Sequence, residues 1–561
     1  NGLNGSHTSE NKHLLSDILK DEWNYEGFVV SDWRGTRSVE ALDAGLDLEM
    51  PGPGKFLTKD KVLNELEENR LTVNQLNDKV RRILRAYVKT GLLDHEKPDF
   101  NAELNSEKHQ LLAREVAEEA IVLLKNEKDV LPFETTIKKL AVIGPNAAEA
   151  RLGGGGSASV SPFYAVSPLE GLRNFCGPQT QIIFEEGCGL SGNLKVIDSR
   201  YLQHKKNGRA ASGLKAEYFS NSGLKGESAV VAADEKVDFS WGWANPKPGV
   251  DRQRYSVRWS GQLLPPKTGN YKIGVSAASG GFRLYIDDKP VFDEWTADNS
   301  ENFEAELTSV NRTAAIDLQK DEPVEIRLEF YKRANRNFVR LEWEIPGNNS
   351  IELAKQAAAK SDAVVIFAGL SNFFEGGNND REDIILPGEQ NRLIREVAKV
   401  NPNTAVVLIN GTPVAMPWLE NVNAVLEAYY PGQEGGNAMA KVLFGEVNPS
   451  GKLPETFPVK ISDNPAWGNY PGEENEVHYD EGIFVGYRHY DANNVEPLFP
   501  FGHGLSYTTF EHSDLKITKN GESFMAEMLV KNTGNVARAE VVQLYISDIN
   551  ASEPRPVKEL T

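Results

Sequence analysis

The chain has 561 residues, 40% hydrophobic and 25% charged, the profile of a globular protein of roughly three to five domains. A formal net charge of -20 argues against duplex nucleic acid or an anionic membrane as partner, because both select basic patches. No apolar run approaches the roughly 20 residues that span a bilayer, and the two cysteines, Cys176 and Cys188, read as free thiols that leave the compartment unknown.

The chain opens at Asn1 without a methionine and stops at Leu560-Thr561, so both ends read as cut. Glu10 to Trp23 has the spacing of a helix, with Leu14, Leu15, Ile18 and Leu19 on one face. Phe28-Val29-Val30 follows as a short apolar run, the pattern of a strand buried on both faces, and ends in Ser31-Asp32-Trp33. Leu42, Leu46 and Leu48 precede a break at Pro51-Gly52-Pro53-Gly54. Thr72 and Gln75 form a capping box for a helix through Leu76, Val80, Ile83, Leu84 and Val88, closed by Gly91. This is the alternation of a (β/α) barrel, but 1–100 holds only its last part, since a complete barrel takes about 250 residues. The piece on its own is therefore expected to fold poorly and to be inactive.

Ser106 to Lys125 reads as another amphipathic helix, and Leu140 to Gly144 and Gln181 to Phe184 as buried strands. The same rhythm resumes with a strand at Ala363 to Ala368, a helix at Glu389 to Val400, strands at Thr404 to Ile409 and Val422 to Ala428, and a helix at Gly436 to Phe444. We read 101–212 and 347–480 as one doubly wound α/β domain split by an insertion. The insertion, 213–346, changes texture to short alternating strands such as Tyr255 to Gly261 and Phe282 to Asp288, which predicts an all-β sandwich or barrel. From Phe510 the chain alternates again around Asn532-Thr533-Gly534-Asn535, as in an immunoglobulin-like sandwich, so 481–561 is read as linker and β-domain. The fold class is thus multidomain α/β plus all-β.

Three stretches could carry chemistry. Gly153-Gly154-Gly155-Gly156-Ser157 lacks the Gly-Lys-Ser/Thr of a phosphate loop and stands too far beyond its strand for a dinucleotide turn, so it reads as a flexible loop, with a loop near the site as the alternative. Phe373 to Asp383 follows the strand 363–368 and lies at the carboxyl edge of the sheet, where open α/β sheets place ligands. There Glu375, next to apolar Phe374, is the candidate for a glycosidase acid, against the alternative of a solvated acidic loop. Asp32, at the carboxyl end of its strand, is a candidate nucleophile or sugar ligand; the competing reading is that it caps a following helix. Retaining glycoside hydrolysis needs one carboxylate of each kind.

Residues across most of the chain carry a resemblance to glycoside hydrolase family 3. They include Gly27-Phe28-Val29-Val30-Ser31-Asp32-Trp33, Val142-Ile143-Gly144-Pro145-Asn146, Leu386-Pro387-Gly388, Tyr430-Pro431-Gly432-Gln433-Glu434, Asn448-Pro449-Ser450-Gly451-Lys452-Leu453-Pro454 and Pro500-Phe501-Gly502-His503-Gly504. The insert, with Ala216-Glu217-Tyr218-Phe219, resembles a PA14 domain, and the end, with Val542-Gln543-Leu544-Tyr545, resembles the family's fibronectin type III-like domain. The resemblance implies a retaining, exo-acting β-glucosidase that releases glucose from short oligosaccharides or aryl glucosides by double displacement, with no cofactor and no metal. Asp32 would be the nucleophile, Glu375 the acid/base and Trp33 an aromatic wall for the sugar, while the PA14 insert would help wall the pocket. The residues that grip the terminal glucose would lie upstream of Asn1.

The family pattern is Glu-Gly, one residue, then Asp-Arg. Here Gly377-Asn378-Asn379 stands between, which makes Glu382 the fallback acid/base. A β-xylosidase, the hexosaminidase branch and a non-catalytic glycan binder are the rival readings. The binder would use Trp241, Trp243 and Trp295, with Asp287-Asp288 as a calcium loop. The sequence leaves assembly open, a homodimer included.

Overall fold

Six strands form the sheet that positions the candidate site in a computed structural model of the chain. They are β1 (Val122–Asn126), β2 (Lys139–Ile143), β3 (Gln181–Glu185), β4 (Ala363–Gly369), β5 (Thr404–Ile409) and β6 (Ala424–Glu427), in the order β1-β6-β5-β4-β2-β3. All neighbours are parallel except β1, which runs antiparallel to β6. Every residue of β4 and β5 is buried, as expected of parallel strands covered on both faces. Alternate side chains feed two cores. Val142, Val365 and Phe367 join one with Leu169, Leu172, Ala438 and Met439 of the helices Pro168–Cys176 and Gly435–Leu443. Ile143, Ile366 and Ala368 join the other with Ala354, Leu393 and Ile394 of Ser350–Ala359 and Gln390–Ala398.

The chain divides into two units, Asn1–Leu104 and Asn105–Thr561. The structure describes all residues except 1, 95–102, 191–193, 207, 242–244, 279, 296–308, 333–336, 347–349, 378–379, 475 and 522. Among the described residues no helix is long and apolar enough to cross a membrane.

The reading of Ser106 to Lys125 as one helix needs correction. The helix spans Glu107–Ala120, and the chain then enters β1. Residues 121–124, Ile-Val-Leu-Leu, begin with two β-branched residues and are almost wholly buried. Their partner is β6, about 300 residues downstream, with Leu123 opposite Leu426 and Asn126 opposite Ala424.

Between β3 and β4 the chain forms two antiparallel sheets, one built around Ser256–Leu263 and Val324–Lys332, the other around Gly269–Ala278 and Phe338–Glu344. Lys195–Val196 and Leu202–Lys206 pair into the same sheets. Trp259, Tyr255, Tyr271 and Phe330 are fully buried between them. The buried Asp234 carboxylate accepts hydrogen bonds from the Tyr218 hydroxyl (2.6 Å) and the Trp259 indole (2.9 Å), and pairs with Lys247 at 3.0 Å. Further on, Phe510–Asn520 pairs with Ser523–Asn532, and Tyr545–Ile546 with Glu559–Leu560. Among the described residues, 541–546 is paired at its last two residues, Tyr545 and Ile546.

In the first unit, His13–Glu22 is helical as expected but wound as a π-helix, and Trp23 N–H reaches Ile18 O at 2.9 Å. The capping box forms: Thr72 Oγ1 accepts from Gln75 N–H, and Gln75 Oε1 from Thr72 N–H, opening Val73–Lys89. Gly91 follows at φ +69°. The strand 28–30 is not buried on both faces. It has one bridging partner among the described residues, Val30 to Leu48, and Val30 is 48% exposed.

A buried carboxylate fixes that pairing. Asp47 accepts from Lys20 Nζ at 2.7 and 3.0 Å and from Val29 N–H at 2.7 Å, and Lys79 Nζ stands 3.6 Å away. The Asp47 and Lys20 side chains are 0% and 4% exposed, and burial pulls the Lys20 amine down to about 8. Asp47→Ala would leave Lys20 without its counter-charge and Val29 N–H without its acceptor. We expect a loss of about 3–5 kcal/mol, read from the denaturant midpoint of the transition that includes this unit. A loss below about 1 kcal/mol would mean that the clamp does not hold the segment.

Candidate active site

The carboxyl ends of four strands converge on Glu375. From β2 the chain runs to β3 on one side of the sheet, whereas β4, β5 and β6 extend from the other side of β2. The reversal therefore lies between β2 and β4, the place where such sheets open a crevice. Gly144, at φ +113°, carries the chain tightly over this point, and a Cβ there would stand 2.2 Å from Phe367 O. Asn146 then bridges to β4, its backbone N–H to Phe367 O at 3.3 Å and its side-chain amide to Leu370 O at 3.2 Å.

Glu375 follows β4 in a turn whose Glu375 and Phe374 N–H groups both reach Ser371 O. It is 7% exposed. Its Oε2 accepts from Gly411 N–H at 2.7 Å and from the Tyr430 hydroxyl. Its Oε1 accepts from Thr412 N–H at 2.8 Å and from the Thr412 hydroxyl. Gly411 and Thr412 come from the end of β5, Tyr430 from the end of β6. The expected apolar contact is therefore not the feature that defines this carboxyl: four donors surround it, and Phe374 packs into the core. Arg381 stands beside it, giving Nη1 to Thr412 Oγ1 (2.9 Å) and Pro413 O (3.2 Å). Burial lowers the pKa of that guanidinium, and the charge of Glu375 opposes the shift.

The glycine run is not a free loop. Gly155 N–H donates to Glu375 O at 2.7 Å, and Gly155 bridges to Gly376. A Cβ on Gly155 would meet Asn372 O at 2.4 Å, so the approach requires glycine. On the other flank, Phe338 of the β-rich insert packs edge-on against Phe373 at 4.7 Å between ring centres.

Glu375 also lines a cavity of about 440 Å³ with Arg381, Thr412 and Glu455. Two more acids lie close by. Glu427, fully buried at the end of β6, accepts from Tyr429 N–H (2.9 Å) and Asn410 Nδ2 (3.0 Å), and burial raises its pKa strongly. Glu455 is pushed up to about 7 by burial and then by the charge of Glu375. The fallback Glu382 is exposed and does not line the cavity.

In the other unit, Asp32 is exposed at the carboxyl end of the short parallel pairing. Ser31 N–H bonds Leu48 O at 3.0 Å, Ser31 Oγ accepts from Met50 N–H at 2.9 Å, and Arg34 N–H reaches Met50 O at 2.9 Å. Asp32 Oδ1 accepts from Trp33 N–H at 2.7 Å. It caps no helix, because 33–35 form a turn and the next helix, Ala41–Ala44, starts after Glu40. Trp33 is 68% exposed.

The sequence reading missed Thr412, Tyr430, Glu427 and Glu455. The first three stand at or just beyond the carboxyl ends of buried parallel strands, the signal that singled out Asp32 and Glu375. Glu455 has no such signal. Of the aromatics considered for glycan binding, Trp241 stacks on Phe239, Trp259 and Phe330, Trp295 packs on Tyr331 under Arg283, and Trp243 lies outside the described residues. Asp287 and Asp288, at φ +48° and +59°, make the two-residue hairpin turn between Gly280–Ile286 and Lys289–Asp293.

Two family profiles match most of the chain: the glycosyl hydrolase family 3 N terminal domain over residues 1–86 and the glycosyl hydrolase family 3 C-terminal domain over residues 121–507. The chain belongs to glycosyl hydrolase family 3. Within the family it is 39% identical to a beta-glucosidase of Rhizobium radiobacter, over the whole chain and 68% of that protein. Its fold matches the crystal structure of a beta-glucosidase from Kluyveromyces marxianus in complex with glucose, at TM-score 0.80 and 35% identity, over 99% of this chain and 68% of that one. A Streptomyces venezuelae beta-glucosidase in complex with D-glucose matches at TM-score 0.70 and 31% identity, over the whole chain and 67% of that structure. This family 3 chain is thus a glycoside hydrolase with mixed α/β sheets and a β-rich C-terminal region.

Proposed function

We propose that this family 3 chain serves a retaining, exo-acting β-glucosidase that releases terminal β-D-glucose from short oligosaccharides or aryl glucosides. The observation that carries the reading is the alignment of the whole chain with beta-glucosidases, two of them with glucose in their structures. Asp32 attacks the anomeric carbon and forms a glycosyl-enzyme. Glu375 gives a proton to the departing glycosidic oxygen, then takes one from the water that releases the sugar. The burial of Glu375, its place at the sheet's reversal and its cavity favour it over Glu382. Trp33 offers its exposed indole face to the sugar.

The β-rich insert, 213–346, is a PA14-like domain, and 481–561 holds a fibronectin type III-like domain. Residues 1–100 belong to a (β/α) barrel, and 101–212 with 347–480 form the split α/β domain. The packing of Phe338 on Phe373 supports an insert that shapes the neighbourhood of the acid/base loop. No observation favours the lectin reading.

The stereochemistry of hydrolysis tests the proposal. With an aryl β-glucoside and the full-length protein, proton NMR should show β-glucose first and the α anomer only by mutarotation. Release of α-glucose first would require an inverting mechanism and overturn the double displacement.

A further inference from the structure

Two segments supply the donors around Glu375, and one buried side chain holds them both. Gly411 and Thr412 follow β5, Tyr430 follows β6, and Glu427 is the last residue of β6. Glu427 Oε2 accepts from Asn410 Nδ2 at 3.0 Å, and Oε1 from Tyr429 N–H at 2.9 Å. Asn410, equally buried, passes the first hold on. The same Nδ2 donates to Thr412 O at 3.1 Å, closing the turn from which the Gly411 and Thr412 N–H groups reach Glu375. Tyr429 stands at φ +51°, a costly conformation for a large side chain. Its N–H on Glu427 anchors the chain just before Tyr430, whose hydroxyl reaches Glu375. The two segments also meet: a Cβ on Gly411 would stand 3.2 Å from Tyr430 Cε2 and 3.5 Å from Glu375 Oε2.

A carboxyl suits this position and an amide does not. Ionised or protonated, it keeps an acceptor on each oxygen, so both N–H donors are met. Glutamine would turn its N–H₂ either to Tyr429 N–H or to Asn410 Nδ2. Flipping the Asn410 amide to meet the glutamine N–H₂ would set Oδ1 against Thr412 O. In each case one segment loses its hold.

We propose that Glu427 is a positioning residue for the proton transfers of Glu375, fixing the two segments whose donors set where the Glu375 carboxyl stands. The inference rests on the reading of Glu375 as acid/base. Glu427 itself exchanges no proton with the substrate.

The test is kcat/KM of the full-length protein and its Glu427→Gln variant over a series of aryl β-glucosides with graded leaving groups. An acid displaced by a fraction of an ångström matters only where the departing oxygen needs a proton. In the variant kcat/KM should fall roughly 10–100-fold for the poorest leaving groups and stay within about threefold for the most activated. A merely structural role would lower the whole series alike. Should the glutamine variant fail to fold, Glu427→Leu, which withdraws both acceptors and keeps the bulk, is held to the same split. A uniform loss, or none, in a variant that still melts cooperatively overturns the inference. Glu375→Ala, run on the same series, separates the two readings. If it shows the leaving-group split and the Glu427 variant does not, only the role of Glu427 falls. If it shows none, the reading of Glu375 falls and the role of Glu427 with it.

Discussion

Asp32→Asn is expected to lower kcat for β-glucosides by at least about 10⁴-fold, the scale on which enzymes lose turnover when their nucleophile is removed. The substitution changes little else. Asp32 is exposed, its one side-chain hydrogen bond among the described residues is to the neighbouring Trp33 N–H, and an asparagine oxygen can still accept that bond. The supports of the segment, Ser31 to Leu48 and Met50 and the Asp47 clamp on Val29, do not involve the Asp32 side chain. The variant should therefore melt as the parent does and bind glucose with similar affinity. Steady-state hydrolysis of an aryl glucoside is the assay. Turnover within tenfold of the parent would mean that Asp32 is not the attacking group.

Glu375 calls for a different substitution. Glutamine there would set its amide N–H₂ against a backbone N–H in either orientation, that of Gly411 or that of Thr412. Alanine avoids that conflict and leaves the donors facing a cavity of about 440 Å³ that has room for water. For Glu375→Ala we expect the loss to depend on the leaving group. Substrates with good leaving groups, which need no proton, should form the glycosyl-enzyme nearly as fast as in the parent. Poor ones should slow by roughly 10²–10⁴-fold, the usual contribution of general acid catalysis. Azide, which needs no general base, should restore turnover on activated substrates and yield β-glucosyl azide. A uniform loss across leaving groups, with no response to azide, would assign the proton to another residue.

The parts of the fold that were legible in the sequence are those where one local pattern decides the outcome. β2, β4 and β5 read as strands because both of their faces are buried and their residues are almost all apolar. Thr72 and Gln75 announced the helix 73–89 because a capping box is closed within four residues. The exit from the helix at Ala120 was not legible: Ile121 and Val122 continue an apolar helical face as readily as they begin a strand, and the deciding partner, β6, is about 300 residues away.

The site divides in the same way. Asp32 and Glu375 could be found because each follows an apolar run. Thr412 and Tyr430 follow such runs too, yet neither is a carboxylate, so only their hydrogen bonds to Glu375 reveal them. The glycine run looked flexible because the backbone contact that demands its glycines, Gly155 against Asn372 and Glu375, is made with a loop 220 residues downstream. Glu455 was invisible because its raised pKa is a property of the cavity and not of its neighbours in the chain.

Trapping the covalent intermediate tests the role of Asp32 most directly. The full-length protein is incubated with a 2-deoxy-2-fluoro-β-glucoside bearing an activated leaving group, digested with protease and mapped by mass spectrometry. A fluoroglucosyl ester on the peptide containing Asp32, absent from the Asp32→Asn variant, is the predicted result. A label on any other carboxylate would contradict it.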